Sequence, residues 1–314
     1  GGTDYPEWFN KYGGSVISTS IDKYSYITLK PITAIFNYKY RIRYYFREEV
    51  NKIDNIKHPV VRECLKQIKH KSGLDILHHG DIPARTGLGS SSCFSVGLIQ
   101  ALLSMNSIQI SKRELAKKTI NFEQNILKES VGSQDQIAAS YGGFNKILFK
   151  SKNEFNVKKI NIAPKKKELL NDWCQLIFTG IERSSQKITA KKINNIKKNN
   201  SNLFKMMEIC NEANELLSSK YKKNFINSFA DLLNKQWELK KNFEKTTTNK
   251  YIDNIFDKAL KSGSIGGKIL GAGGGGFLLL ITDPKKQKSV ADTLKLKQVK
   301  FKFESEGSKM IFKS

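Results

Sequence analysis

A glycine-rich loop that leads directly into an apolar run constrains this chain more than any other feature. The segment reads Pro83-Ala84-Arg85-Thr86-Gly87-Leu88-Gly89-Ser90-Ser91-Ser92, and mostly apolar residues follow it as far as Leu103. Gly87 and Gly89 allow the backbone to turn without a Cβ clash, so successive amides can point the same way. Ser90 is a predicted helix N-cap, and the free amides of a first helical turn carry partial positive charge. The segment therefore predicts a phosphate site at a helix start.

The spacing of this loop excludes two common nucleotide-binding motifs. No lysine follows Gly89, as a Walker A loop requires, and Ser92 stands where the dinucleotide fingerprint needs its third glycine. Taken alone, the loop could also be a glycine and serine turn that caps an ordinary core helix.

A second glycine cluster lies near the other end of the chain. Five of the six residues from 271 to 276 are glycine, and the apolar run Phe277-Leu278-Leu279-Leu280-Ile281 follows them. Ordering so many glycines costs much chain entropy, and such a stretch usually persists where backbone must approach something closely. The alternative interpretation is a flexible loop before a strand.

Two further motifs complete a pattern that covers nearly the whole chain. The sequence opens with Gly1-Gly2-Thr3-Asp4-Tyr5, and Gly132-Ser133-Gln134-Asp135-Gln136 precedes a short run of small residues. In this order the four motifs resemble the GHMP kinase superfamily of small-molecule kinases. The forms of the first and third motifs look most like the branch that phosphorylates the anomeric hydroxyl of D-glycero-D-manno-heptose 7-phosphate.

The resemblance implies an α+β, two-domain GHMP kinase fold. Its N-terminal domain would be ribosomal-protein-like and span residues 1–163, and its C-terminal domain would be ferredoxin-like and span residues 164–314, with ATP between them. Family members begin with a strand and a basic residue before the Thr-Asp pair. Because this sequence starts inside that motif, we expect further residues before Gly1.

The composition narrows the functional classes. The 314 residues suffice for one large or two medium domains, and the formal net charge is +25. Only seven of the 54 basic residues are arginines, which favours solvated lysine faces over a nucleic-acid reader. No apolar run is long enough to span a membrane, no signal peptide opens the chain, and four scattered cysteines suggest reduced thiols. We therefore expect a cytoplasmic monomer or homodimer that binds ATP and a sugar phosphate, without nucleic acid or membrane.

The pattern of residues also predicts elements independently of the resemblance. Strands are expected over residues 15–20, 24–29, 40–46 and 74–82, and helices over 91–104, 112–127 and 134–141. A strand pair at 145–149 and 155–162 precedes a compositional change at Pro164-Lys165-Lys166-Lys167, the predicted domain boundary. Beyond it we expect a strand at 174–179, long helices over 186–262, a strand at 276–282, a helix at 285–294 and strands near 299–303 and 310–312. This succession indicates an α+β rather than a regular βαβ fold.

The resemblance assigns roles to particular residues, position by position. Asp135 would be the catalytic base or orienting group, and Ser91 and Glu123 would hold Mg²⁺, which prefers oxygen ligands. The implied ATP-binding residues are Arg85, Thr86, Gly87, Leu88, Gly89, Ser90 and Ser91. The residues predicted to contact the acceptor are Thr3, Asp4, Gly273, Gly274 and Arg183. Without the resemblance, each of these residues has an ordinary alternative as a cap, a turn or a solvent-facing charge.

Arg183 is the candidate receptor for the distal phosphate, because it lies between a predicted strand and a predicted helix start. Three functions stay open at this point. The leading hypothesis is a heptose 7-phosphate 1-kinase that uses ATP and Mg²⁺, and the second is another sugar 1-kinase of the fucose or galactose type. The third, from a different class, is a non-catalytic basic module that binds nucleic acid.

Overall fold

A computed structural model describes residues 2–68, 72–182, 185–196 and 200–313. The described chain mixes helices with four small sheets, so the predicted α+β class is confirmed. The first half contains α1 (Pro6–Tyr12), β1 (Gly14–Ser18), β2 (Ser20–Ile21), β3 (Ser25–Pro31), β4 (Tyr40–Arg43), β5 (Arg47–Val50), α2 (Pro59–Ile68), β6 (Leu74–Gly80), α3 (Ser90–Met105), α4 (Lys112–Asn121), α5 (Gln134–Tyr141), β7 (Asn145–Phe149) and β8 (Phe155–Lys159). The second half contains α6 (Pro164–Trp173), β9 (Cys174–Phe178), α7 (Ser185–Asn195), α8 (Asn200–Ser218), α9 (Phe225–Phe243), α10 (Lys250–Lys261), β10 (Ser264–Ile269), β11 (Phe277–Thr282), α11 (Gln287–Leu294), β12 (Lys297–Val299) and β13 (Phe303–Glu304).

The loop that carries Gly87 and Gly89 connects a sheet to a buried helix. Strands lie in the order β3-β6-β4-β5, with β4 and β6 parallel and the other pairs antiparallel. Leu74 and Ile76 of β6 pack with Leu98 and Leu102 of α3 in one apolar cluster. Because burial fixes both the strand and the helix, the loop between them is held at both ends.

Helix α5, which carries Asp135, is supported by neighbouring helices and a second sheet. This sheet has the order β1-β7-β8 and is antiparallel. Ile137 of α5 is fully buried in a cluster with Trp8 and Phe9 of α1, Val16 of β1 and Ile147 of β7. The start of α5 is therefore fixed relative to the N-terminal segment.

The C-terminal sheet has the expected ferredoxin-like arrangement. In chain order the elements run β9, helices α7 to α10, β10, β11, α11 and β12, which is a β-α-β-β-α-β succession. Its strands lie in the order β10-β11-β9-β12 and all pairs are antiparallel. The second glycine cluster connects β10 to β11, so it lies at one end of this sheet.

Most predicted elements are confirmed within a few residues, and the misses have physical reasons. Helices α1, α2 and α6 are not predicted from the sequence. Each of them begins with a proline, a residue that is also typical of turns. Strands β5 and β10 were also missed. The strand expected at 310–312 is wrong, because that exposed segment has no strand partner in the described chain. Ser90 is not the N-cap of α3 as expected; Gly89 occupies that position in a left-handed conformation.

The boundary at Pro164 stays a prediction. Helix α6 begins there, but two apolar clusters extend across the division. One joins Trp8 and Phe9 to Leu203 and Met206 of α8, and the other joins Phe144 to residues of the second half. The two halves therefore share buried surface.

Candidate active site

The first glycine loop presents unpaired amides at the start of α3. Arg85, Gly87 and Gly89 have φ values of 64°, 83° and 72°, which turn the chain tightly before the helix. Within the described part of the chain, none of the amides from Gly87 to Ser91 donates a hydrogen bond to another residue. Leu88 and Ser90 are partly buried, and Arg85 and Ser91 are exposed. Such a helix start attracts an anion.

The two glycine segments, far apart in sequence, lie against each other. A Cβ on Gly271 would be 2.6 Å from the Cα of Gly87, and Gly271 has a φ of +61°. The Phe277 amide donates to the Thr86 carbonyl at 3.1 Å. Thr86 is fully buried, and its hydroxyl donates to the Pro83 carbonyl at 2.8 Å. Only glycine permits this backbone-to-backbone contact.

Asp135 faces the first glycine loop from the first turn of α5. A Cβ on Gly89 would be 3.3 Å from the Asp135 Cγ. The carboxylate accepts a hydrogen bond from the Gln134 side chain at 3.3 Å and is accessible to solvent. Surrounding protein and the negative charges of Asp4 and Glu123 raise the pKa of Asp135 to about 6. A carboxylate with this pKa, next to a candidate phosphate site, can accept a proton near neutral pH.

Glu123 is buried in a polar cluster behind the loop. It lies in a π-helical segment, Phe122–Ile126, that continues α4, and 1% of its surface is exposed. Its Oε2 accepts hydrogen bonds from the Ser92 hydroxyl at 3.0 Å and from the Gln136 amide. Burial raises the pKa of Glu123. Among the described residues no hydrogen bond of ordinary geometry reaches its Oε1, although the Ser95 hydroxyl also interacts with the carboxylate, so this oxygen could ligate a cation.

Ser91 and Glu123 are the two predicted ligands of Mg²⁺, and the serine that contacts Glu123 is the next residue along the chain. Ser92, not Ser91, contacts Glu123, whereas Ser91 is exposed. The contacts of Ser92 and Gln136 with Glu123 are not predicted from the sequence, although the three consecutive serines offered a signal for the first of them. The described residues contain no group of three or more His, Cys, Asp or Glu side chains that could hold a metal by themselves. Mg²⁺ often has only one or two protein ligands, so the residues present fit that ion.

Asp4 and Thr3 have different environments. The Asp4 carboxylate accepts from the Gln134 amide at 3.4 Å, and a Cβ on Gly132 would be 1.9 Å from its Oδ2. Asp4 is therefore beside Asp135 at the start of α5. The Thr3 side chain is buried; its hydroxyl donates to the Ser15 carbonyl at 2.8 Å and accepts from the Ser15 amide at 3.0 Å. The sugar contact of Thr3 stays a prediction, and in this structure the hydroxyl of Thr3 is hydrogen-bonded to the Ser15 backbone of β1.

Gly273 and Gly274 contact Thr247 rather than the first loop. Gly273 is buried, and a Cβ there would be 2.6 Å from the Thr247 carbonyl oxygen. The Gly274 amide donates to that carbonyl at 2.6 Å. The acceptor contacts of these two residues therefore stay a prediction, and in this structure their observed contacts are with Thr247. Arg183 lies outside the described residues, so its predicted role is unchanged.

Two family models match this chain. Residues 55–143 match the GHMP kinases N terminal domain, and residues 213–299 match the GHMP kinases C terminal family. Among the described helices, none is long and apolar enough to cross a membrane.

Individual relatives include several sugar kinases. The D-glycero-alpha-D-manno-heptose 7-phosphate kinase of Campylobacter jejuni is 29% identical over 98% of this chain and 94% of its own length. The bifunctional fucokinase/GDP-fucose pyrophosphorylase of Arabidopsis thaliana is 26% identical over 71% of this chain and 21% of its own length. A crystal structure of a D-glycero-D-manno-heptose 1-phosphate kinase from Bacteroides thetaiotaomicron has a TM-score of 0.75 at 22% identity, covering 98% of this chain and 93% of that one.

Proposed function

This chain belongs to the GHMP kinases; on that premise, we propose that it is a sugar kinase and that it phosphorylates the anomeric hydroxyl of D-glycero-D-manno-heptose 7-phosphate. The products would be heptose 1,7-bisphosphate and ADP. The observation that carries the proposal is the placement of Asp135 against Gly89, which puts a carboxylate of raised pKa next to free helix-start amides. The choice of heptose phosphate is supported by the Campylobacter relative, whose similarity extends over nearly the whole chain.

In the proposed mechanism, the amides from Gly87 to Ser91 hold the phosphates of ATP, assisted by the Arg85 guanidinium. Asp135 accepts the proton of the acceptor hydroxyl while the oxygen of that hydroxyl forms a bond to the γ-phosphorus of ATP. The bond from that phosphorus to the β-γ bridging oxygen breaks, and its electron pair leaves with ADP. The carboxylate mainly orients the hydroxyl and takes its proton late, as expected for phosphoryl transfer.

Mg²⁺ fits the residues around the loop. Glu123, through its Oε1, and the exposed Ser91 hydroxyl would hold it. When bound, the ion would neutralise phosphate charge. Ser92 and Gln136 keep the Glu123 carboxylate oriented through their hydrogen bonds to Oε2.

The acceptor would lie beside Asp4 and Asp135. Asp4 can accept hydrogen bonds from sugar hydroxyls, since its carboxylate is partly exposed. Arg183 stays our candidate for the distal phosphate of the acceptor. A charge reversal, Arg183→Glu, should then raise the KM for the sugar phosphate far more than the KM for ATP.

A coupled ADP-release assay tests the proposal with heptose 7-phosphate, fucose, galactose and their relevant phosphates as acceptors. We expect turnover with the heptose phosphate and a loss of about 10²- to 10⁴-fold in kcat for Asp135→Asn, since a general base contributes about that much. Asp257→Asn, on an exposed face of α10, is the matched control.

Two outcomes would contradict the proposal. Faster turnover of fucose or galactose than of the heptose phosphate would favour the second sugar kinase hypothesis, which the Arabidopsis relative also supports. Absence of turnover with every acceptor, together with tight RNA binding at physiological salt, would favour the non-catalytic module.

A further inference from the structure

A polar cavity lies between α1, α7 and the segment that leads into α5. Its volume is about 300 Å³, at the lower end of the range of about 300–1,000 Å³ that is typical of ligand pockets. Pro6 and Glu7 of α1 line one side of it, and Ala190 and Asn194 of α7 line another. The polar cavity therefore has the size of a site for one small molecule, built from both halves of the chain.

One wall of the polar cavity has an unusual backbone and continues into the candidate active site. Gln124, which lines the cavity, lies in the same π-helical segment as Glu123. Its side-chain amide donates to the Val131 carbonyl and to the Ser133 hydroxyl, both at 3.1 Å. Between these residues, Lys128 has a φ of 55°. Single π-helical turns and left-handed residues other than glycine are frequent at functional sites, so this wall has the backbone features of one.

The side chains that line the polar cavity favour an uncharged ligand with many hydroxyl groups. Lysine and arginine make up 54 of the 314 residues, yet none of the described residues that line the cavity is a lysine or an arginine. Phosphate groups are usually bound by such cations, so this lining disfavours them. Within the described part of the chain, the lining side chains of Glu7, Ser130 and Asn194 make no hydrogen bond, and Pro6 and Ile193 supply apolar surface.

From this chemistry we propose that the polar cavity binds a neutral polyhydroxylated group, the uncharged part of a sugar. The Glu7 carboxylate accepts hydrogen bonds from sugar hydroxyls, and the Asn194 amide and the Ser130 hydroxyl both donate and accept them. Two sources supply this chemistry. One is the uncharged part of the acceptor itself, an assignment that rests on the proposed function, and the other is a second, free sugar.

Saturation-transfer difference NMR with D-mannose and unphosphorylated D-glycero-D-manno-heptose as probes tests the polar cavity without turnover. Both probes should receive saturation from the wild-type protein. Ala190→Phe, which fills the cavity from α7, should reduce the transfer at least fivefold. Glu7→Leu, at an exposed position, should reduce it at least twofold, whereas Glu7→Gln keeps an accepting oxygen and should retain most of it. Ala213→Phe, at a half-buried position of α8 outside the cavity, is the matched control and should keep the wild-type transfer.

Competition with heptose 7-phosphate distinguishes the two sources. If the polar cavity holds part of the acceptor, heptose 7-phosphate displaces D-mannose, and Ala190→Phe raises the KM for the acceptor about tenfold without changing the KM for ATP. If it holds a separate sugar, the D-mannose signal persists at saturating heptose 7-phosphate, and Ala190→Phe leaves the KM for the acceptor unchanged.

The proposal of a sugar site is overturned if neither probe receives saturation from the wild type. It is equally overturned if Ala190→Phe or Glu7→Leu keeps the full transfer. Absence of turnover with every acceptor would refute the proposed function alone, because probe binding by the wild type and the variants is measured without catalysis.

Discussion

At the scale of single residues, Asp135 has opposite effects on activity and on folding stability. The pKa of its carboxyl is raised from an ordinary 3.8 to about 6, chiefly by the protein around it and then by Asp4 and Glu123. The folded chain therefore holds this proton more tightly than the unfolded chain does. The stabilisation is complete below the unfolded pKa and is lost as the pH rises through about 6.

The kcat/KM and the folding stability of the protein should consequently change in opposite directions as the pH rises. The kcat/KM of the wild-type protein should rise as the pH increases through about 6, because the base loses its proton. Asp135→Asn, which cannot ionise, should melt at a higher temperature than the wild type at pH 8, and the difference should shrink towards pH 4. Differential scanning calorimetry of the wild type, Asp135→Asn and the control variant Asp257→Asn measures these melting temperatures. If Asp135→Asn melted at a lower temperature than the wild type at pH 8, folding would not raise the pKa of the Asp135 carboxyl.

At the scale of elements, the site depends on loops that approach each other as bare backbone. Gly271 and Gly180 both have positive φ values, +61° and +78°. They differ in their surroundings: a Cβ on Gly271 would meet Gly87 at 2.6 Å, whereas a Cβ on Gly180 would meet nothing within 4 Å. Alanine variants at these two positions therefore separate the effect of backbone strain from the effect of losing the close approach between the two glycine segments.

Both alanine variants should lose about 1 to 2 kcal/mol of stability from the left-handed conformation. Only Gly271→Ala should also displace the first loop, and we expect it to raise the KM for ATP about tenfold or more. Steady-state kinetics and chemical denaturation of the two variants provide the comparison. Equal KM values for ATP would mean that the contact between the two glycine segments does not shape the nucleotide site.

At the scale of the whole molecule, the C-terminal tail returns to the first half and packs on α5. Strand β13 pairs with β2, and the Ser308 amide donates to the Ala139 carbonyl at 2.8 Å. A Cβ on Gly307 would be 2.3 Å from the Ser140 carbonyl oxygen. The element that carries Asp135 is therefore covered by residues from the far end of the sequence.

Gly307→Val should separate the tail from α5 and lower stability by about 1 to 3 kcal/mol, the usual cost of overpacking. It should also reduce kcat, because α5 positions Asp135. Met310→Val, at an exposed position of the same tail, should change neither quantity. Melting temperatures and kcat values of both variants and the wild type test this prediction. If Gly307→Val kept the wild-type melting temperature, the tail contact would have no stabilising role.

The sequence by itself determined most of the elements and the positions of both glycine segments. Turn glycines, apolar periodicity and residue types identified β6, α3, α5 and both glycine segments, because these signals are local and each residue carries its own conformational preference. The short helices α1 and α2 were missed, since their stability comes from packing rather than from intrinsic propensity.

Only the tertiary structure decided which polar groups were already in use. Thr3 and the Gly274 amide looked available in the sequence, yet Ser15 and Thr247 occupy them. The partners of Glu123 and the reach of Lys192 to Ala272 depend on contacts between segments far apart in the chain. A hydrogen bond is defined by three-dimensional proximity, and local residue patterns do not encode the partner that a buried group will find.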